Sequence, residues 1–368
     1  MNHSITRRDT FRLAAGAGVG AAALNLATPA QAVAPDDAVV FLVTNDVHAC
    51  RTVSGLSDGC LAAGKTDPSM LRHVAAINAV ETMEWPVEVA SAPSGFERAG
   101  QVIGKPLGLV VAGDLTDDGG GQIALPSEGT QLLQFSQRYS EGTGPDRVHM
   151  PVWLGLGNHD LDQDGPPDHV DWYRRELRDY VEMNHRPGVF FKPPVPARSY
   201  EPDSDSYSWD WGDLHLVQTQ RFAGDTAKGA VSALDWLRED LKENASDGRP
   251  VVVFQHYGWD DFSIERWDPA KNTFDPQGTG DDHWWSQAQR DTVLAALKGT
   301  NVLAIFHGHE HPSTMIYNQG GLDVFKPKAA FMGGFAVVRA STTRFEVLMA
   351  EAGENGTATF TKAFAKAI

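Results

Sequence analysis

The sequence predicts an α/β layered fold, a sandwich of two mixed β-sheets flanked by helices. Three observations predict it. Six short apolar runs read as buried strands. Helical patterns lie between several of them, and that alternation indicates layered α/β architecture. The last part of the chain turns into successive strands without helices.

In chain order, Val39 to Val43 is the first strand. A helix follows, beginning in Leu71-Arg72-His73-Val74-Ala75-Ala76-Ile77. Leu107 to Val111 and Val152 to Leu156 are the next strands. Asp168 to Met183 is a helix, with Trp172, Leu177 and Tyr180 near helical spacing. Tyr207 to Asp213 looks like a hairpin entering the strand Leu214 to Val217. Ala230 to Leu241 places Leu234, Trp236, Leu237 and Leu241 on one helical face. Val251 to Phe254 is again a strand. Asp281 and Asp282 suit the positive end of a helix, and Trp284 to Leu297 continues the helical pattern. After the strand Val302 to Phe306, three more strands follow at Gly334 to Arg339, Arg344 to Leu348 and Thr357 to Phe364. Gly353-Glu354-Asn355-Gly356 supplies the last turn. No polar linker divides residues 33–368, so a single domain is expected.

The 368 residues are 42% hydrophobic and 21% charged, an ordinary globular balance that excludes a disordered tail, a collagen and a coiled coil. There are 31 Lys+Arg against 48 Asp+Glu, a net charge of -17. That field repels a phosphate backbone, so nucleic acid is not an expected partner. Two cysteines cannot build a disulfide framework or a zinc finger.

Residues 1–32 read as an export signal. Arg7 and Arg8 precede a mildly apolar, Ala- and Gly-rich stretch from Leu13 to Thr28, and Ala30-Gln31-Ala32 is an A-x-A cleavage site. The segment resembles a twin-arginine signal. Cleavage would leave a periplasmic or secreted protein with no transmembrane segment, since the stretch is too short and Gly-rich for a stable span. An oxidising destination would allow Cys50 and Cys60 to pair.

The most informative residues follow the apolar runs. The first run ends in Asn45-Asp46-Val47-His48 and the second in Gly113-Asp114-Leu115-Thr116-Asp117. The third ends in Gly157-Asn158-His159-Asp160 and the fifth in Gln255-His256-Tyr257-Gly258. The sixth ends in His307-Gly308-His309-Glu310-His311. Ligands of α/β sheets bind at that end of the strands. Imidazole with carboxylate suits zinc and first-row transition metals better than calcium or magnesium. Residues two apart on an extended segment point the same way, so Asp46 and His48, or His309 and His311, can reach one ion. The ligands exceed the four or so that one zinc-like ion takes, and two ions sharing a carboxylate fit the count.

The ordered set D-x-H, G-D-x-x-D, G-N-H-D, a lone His after a strand, and G-H-x-H resembles the calcineurin-like metallophosphoesterase superfamily. The motifs span Asp46 to His311. The resemblance implies a hydrolase of phosphoric ester bonds with two divalent or mixed-valence transition-metal ions, Mn, Fe or Zn, which the N-terminal segment would send for export. Asp46, His48, Asp114 and His311 would hold the first ion. Asp114, Asn158, His256 and His309 would hold the second, with Asp114 as the bridge. A metal-bridging hydroxide would attack phosphorus in line, and His159 would protonate the leaving alkoxide. In parts of the superfamily the second acid of G-D-x-x-D pairs with that histidine. Asp117 would then orient His159 and raise its imidazolium population, with Asp160 as rival. Purple acid phosphatases carry Tyr where this chain has Asp117, so no purple colour is expected. The expected substrate is a small-molecule phosphate ester. A monoester is slightly favoured; the alternatives are a glycerophosphodiester or cyclic nucleotide, and more remotely a non-catalytic binding scaffold.

Other histidines have plainer roles. His73 sits in a helical pattern, and His149, His169, His185 and His215 each lack a second ligand at metal spacing. The aromatic segment from Tyr257 to Trp285 either lines a leaving-group pocket or packs its loop onto the sheet. The stretch from Ser54 to Pro68 is a second rim, where Lys65 is either a phosphate contact or a surface lysine.

Overall fold

The computed structural model describes residues 38–51, 55–117, 131–162, 167–188, 192–260, 266–268, 273–274, 281–282 and 285–368. The expected signal segment, the rings of His169 and Trp267, and Phe262, His283 and Trp284 of the aromatic loop lie outside the described groups.

Two mixed sheets form the body. One has six strands in the order Ala358–Ala367, Arg344–Ala352, Gly334–Ala340, Val39–Thr44, Leu109–Val111, Val152–Leu154. The last three run parallel, with Val43 beside Val110 and Val110 beside Trp153. The C-terminal three are an antiparallel meander. The second sheet has seven strands in the order Met315–Gln319, Leu322–Lys326, Val302–Phe306, Val251–Phe254, Leu214–Gln218, Ser206–Trp211, Ser199–Glu201. Its centre is parallel, with Phe254 beside Phe306 and Val253 beside Val217.

Alternation along the strands explains the layers. Val252 and Phe254 turn into the core between the sheets, whereas Val251 and Val253 turn outward under the helices Leu234–Asn244 and Gln287–Leu297. Phe41 from the first sheet meets Phe254 from the second, ring centroids 6.2 Å apart, and Phe325 meets Phe364 at 5.0 Å. The helix Asp67–Ala79 covers the other face of the six-stranded sheet with Met70, Val74 and Ile77.

One expected element differs. Asp281–Asp282 is a short strand against Arg266 and Trp267 and does not start a helix. The helix begins at Gln287, because Ser286 caps it: its Oγ accepts from Gln289 N, and the Gln289 side chain accepts from Ser286 N at 2.8 Å. The helix Gln131–Arg138 and the hairpin Met315–Lys326 are further elements. No helix among the described residues is long and apolar enough to cross a membrane.

Candidate metal centre

The loops that leave the parallel strands of both sheets are knitted together by main-chain hydrogen bonds. Asp46 N donates to Gly113 O at 3.0 Å, Gly308 N to His256 O at 3.0 Å, and Ala330 N to Asn45 O at 2.9 Å. Close packing demands glycine at two points. A Cβ on Gly157 would lie 2.1 Å from Asp114 Oδ1, and one on Gly113, where φ is +92°, would lie 2.4 Å from His256 Nδ1. Four side chains stand on left-handed backbone: Asp46 (φ 50°), His48 (48°), Asp114 (55°) and His309 (77°). Such conformations cost about 1–3 kcal/mol each and persist where the surroundings over-determine them.

All seven expected metal ligands are brought to one place. Ligand atoms of Asp46, His48, Asp114 and His311 lie within 4.8 Å of one another, and so do those of Asp114, His256 and His309. Asn158 joins the second group, its Oδ1 3.0 Å from His256 Nε2. Asp114 belongs to both groups. The side chains of Asp46, His48, Asp114 and His256 are completely buried, while that of His311 is 29% exposed and marks the open side.

The donor chemistry fits metal ions. His256 Nδ1–H donates to Ala112 O at 2.9 Å, so Nε2 turns a lone pair toward Asn158 Oδ1 and toward Asp114 Oδ2 at 3.1 Å. His48 Nδ1–H donates to Asp117 Oδ1 at 3.1 Å, which aims its Nε2 lone pair at Asp114 Oδ2 (3.5 Å), Asp46 Oδ1 (3.7 Å) and His311 Nε2 (3.1 Å). Asp46 Oδ1 and Asp114 Oδ2 accept no hydrogen bond in this buried place. Acceptor atoms converging on acceptor atoms call for cations between them.

The electrostatics agree. Burial raises the Asp46 and Asp114 carboxyls, but His311 and His48 around the first and His256 and His159 around the second outweigh it. Both stay well below the usual carboxylate range. Burial lowers His48 and His256, yet Asp117 and Asp46 push the first up to about 9, and Asp114 does the same to the second. The carboxylates thus draw positive charge inward. A divalent cation meets the same demand and takes the imidazoles as neutral ligands.

His159 is half-buried at this mouth, its ring 4.6 Å from that of His48. Its orienting partner differs from the sequence expectation. His159 Nδ1–H donates to the main-chain carbonyl of Asp117, while the Asp117 carboxylate faces His48 and Lys65. The reason is local: Asp117 N is tied to Gln131 Oε1 and Ala49 O, which turns the carboxylate toward the His48 loop. Burial then sets the His159 ring below the ordinary histidine value despite Asp114 nearby. Asp160 does not orient it either. Its two oxygens accept from Leu115 N, Thr116 N, Thr116 Oγ1 and Gly157 N, which splices two ligand loops.

Cys50 and Cys60 are disulfide-linked beside Asp117. Lys65 lies inside the site, not on the surface, with Nζ 2.5 Å from Asp117 Oδ1. In the aromatic loop, Trp285 Nε1 donates to Gly258 O at 2.9 Å and its ring lies 4.9 Å from that of Trp259. Both tryptophans are buried, so these two pack the loop onto the sheet. Lys326 and Phe331, which escaped the sequence analysis, also support the site, as does Glu310, read there only as a residue between two ligands; a lysine closing the apolar run Val324-Phe325 was the available signal.

Residues 39–313 match the family model described as calcineurin-like phosphoesterase. Among solved structures the chain is similar to a dimetal phosphatase from Danio rerio, with 12% identity and a TM-score of 0.50, covering 89% of this chain and 98% of that one. It is also similar to PhoD, with 11% identity and a TM-score of 0.50, covering 92% of this chain and 71% of that one. No curated protein matches the chain.

Proposed function

The chain belongs to the calcineurin-like phosphoesterase family and is a hydrolase of phosphoester bonds; from that premise we propose an exported phosphatase that works with two transition-metal ions, Mn, Fe or Zn, on small phosphomonoesters. The observation that carries it is the convergence of seven ligands on two groups that share Asp114.

In this reading Asp46, His48, Asp114 and His311 hold one ion, and Asp114, Asn158, His256 and His309 hold the other. Bound there, two such ions supply Lewis acidity toward a phosphoryl oxygen and make water a nucleophile near neutral pH. The chain supplies the rest. Asp117 and the Ala112 carbonyl accept from Nδ1–H of His48 and His256 and so keep their Nε2 lone pairs turned inward. His159, with Nδ1–H anchored on the Asp117 carbonyl and its ring beside that of His48, stands where it can pass a proton to the leaving oxygen.

Preference for monoesters draws support from the Danio rerio relative being a dimetal phosphatase. Export draws support from the twin arginines at 7 and 8, and from a disulfide that suits an oxidising compartment. Initial rates on p-nitrophenyl phosphate and bis-p-nitrophenyl phosphate with added Mn, Zn or Fe test the substrate class. A strong monoester preference is expected; a strong diester preference would make the protein a phosphodiesterase.

A further inference from the structure

We propose that Lys65, delivered by the Cys50–Cys60 disulfide, is a positioning residue for His48 and thereby sets the affinity of the metal group that contains Asp46, His48 and His311. The proposal rests on the dinuclear reading above.

Asp117 Oδ1 receives two donors, Lys65 Nζ at 2.5 Å and His48 Nδ1–H at 3.1 Å. Asp117 Oδ2 lies against the disulfide, 3.2 Å from the Cys50 sulfur and 3.6 Å from that of Cys60. The carboxylate is therefore held at Oδ1 by two donors and packed at Oδ2 against the disulfide, although its side chain is 23% exposed. A carboxylate fixed in this way locks the His48 tautomer, and the Nε2 lone pair stays available for the ion.

The disulfide explains how the lysine arrives. Cys50 follows His48 by two residues, and Cys60 sits in the short helix Asp58–Ala63. Gly64, at φ +77°, ends that helix, and Lys65 N donates to Cys60 O at 2.9 Å. The covalent link thus ties the ligand loop to the turn that carries the ammonium group. Lys65 Nζ also stands 5.3 Å from the ring of Phe331, which meets the ring of His48 edge-on at 5.5 Å.

In the second metal group the support of His256 is a main-chain carbonyl, that of Ala112, rather than a carboxylate held by a lysine. Loss of Lys65 should therefore weaken one group and spare the other. That asymmetry separates positioning from general support of the fold.

The experiment is calorimetric titration of metal-free protein with Mn2+, on the wild type, Lys65→Gln, Lys65→Arg and the Cys50→Ser/Cys60→Ser double variant, with melting temperatures and p-nitrophenyl phosphate kinetics of the reloaded proteins alongside. The wild type should show two binding steps. Lys65→Gln should weaken one step by roughly 10-fold or more, a typical cost of losing an outer partner of a ligating histidine. The double variant should weaken the same step, and Lys65→Arg should restore most of it. Two unchanged steps in Lys65→Gln would overturn the proposal. So would equal weakening of both steps with a lowered melting temperature, which would mean a structural role only. Both ions retained with a raised KM for p-nitrophenyl phosphate would also overturn it, because Lys65 would then touch substrate. A wild type that binds no Mn2+ would defeat the dinuclear reading itself and the proposal with it.

Discussion

Lys326 has a completely buried side chain, and its Nζ lies 2.6 Å from Glu310 Oε2. The same ammonium group donates to the carbonyls of Glu310 and Ser313. It therefore pins the loop in which Glu310 separates the ligands His309 and His311. Lys326→Met removes one partner of a buried pair and leaves two carbonyls without their donor. A loss of about 2–4 kcal/mol in urea unfolding is predicted, together with weaker metal binding. An unchanged unfolding midpoint would show that the loop holds itself.

Gly157 has no room for a methyl group, because Asp114 Oδ1 occupies that place. Gly157→Ala must displace the Asp114 carboxylate or the helix Asn158–Leu161, and phosphoesterase activity should fall by about 100-fold or more. Gly59 lies within a helix with only Ser57 Oγ near, at 3.8 Å. Gly59→Ala should keep activity and gain a few tenths to about 1 kcal/mol. Parallel rate and melting measurements on the two variants check the contrast.

Buried histidines outside the site contribute to the pH dependence of stability. His185 lies between the rings of Trp153 and Tyr207, donates from Nδ1 to Val195 O at 2.9 Å, and accepts from Leu154 N at 3.1 Å on Nε2. The bond accepted on Nε2 needs the neutral ring, and burial lowers it to about 3. His73 accepts from Tyr139 Oη on Nδ1 and donates to Gly334 O, and burial lowers it to about 4. Unfolded histidine titrates near about 6.5, so the unfolded chain takes up protons first as the pH falls. These two residues contribute fully above about pH 6.5, and their contribution is lost below it at up to about 1.4 kcal/mol per unit each. His215 runs the other way. Burial lowers it, but Asp210 at 2.8 Å and Asp240 at 2.9 Å outweigh that and raise it. Its contribution is complete below about pH 6.5 and is lost as the pH rises through the folded value. Urea midpoints should fall steeply from pH 7 to 5. His215→Gln should lose more stability at pH 5.5 than at pH 9, and a flat profile would contradict both assignments.

His159→Ala should keep both ions, since the side chain belongs to neither Asp114-sharing group. It should lose far more rate on phenyl or alkyl phosphates than on p-nitrophenyl phosphate, whose leaving group needs no proton. Equal losses on good and poor leaving groups would remove the general-acid role.

Much of this site is legible in the sequence, because ligands must follow parallel strands and the strands are continuous apolar runs. Asp46, Asp114, Asn158 and His256 each come a few residues after such a run, and the geometry brings them together. The direction of the Asp117 side chain is not legible, since it depends on Gln131, 14 residues downstream, and on a disulfide. Lys65 and Lys326 look like surface lysines until the loops they clamp are in place. The start of the helix at Gln287 turns on a cap at Ser286, and the acidic pair at 281–282 offered a competing start.

The most direct test of the account is stoichiometric reloading. Metal-free protein is titrated with Mn2+ or Zn2+ while p-nitrophenyl phosphate hydrolysis is followed, with Asp114→Asn in parallel. Activity should rise from near zero and level off at about two ions per chain, and the variant should stay inactive. Hydrolysis by the metal-free protein, or full activity in Asp114→Asn, would contradict a dinuclear centre bridged by that carboxylate.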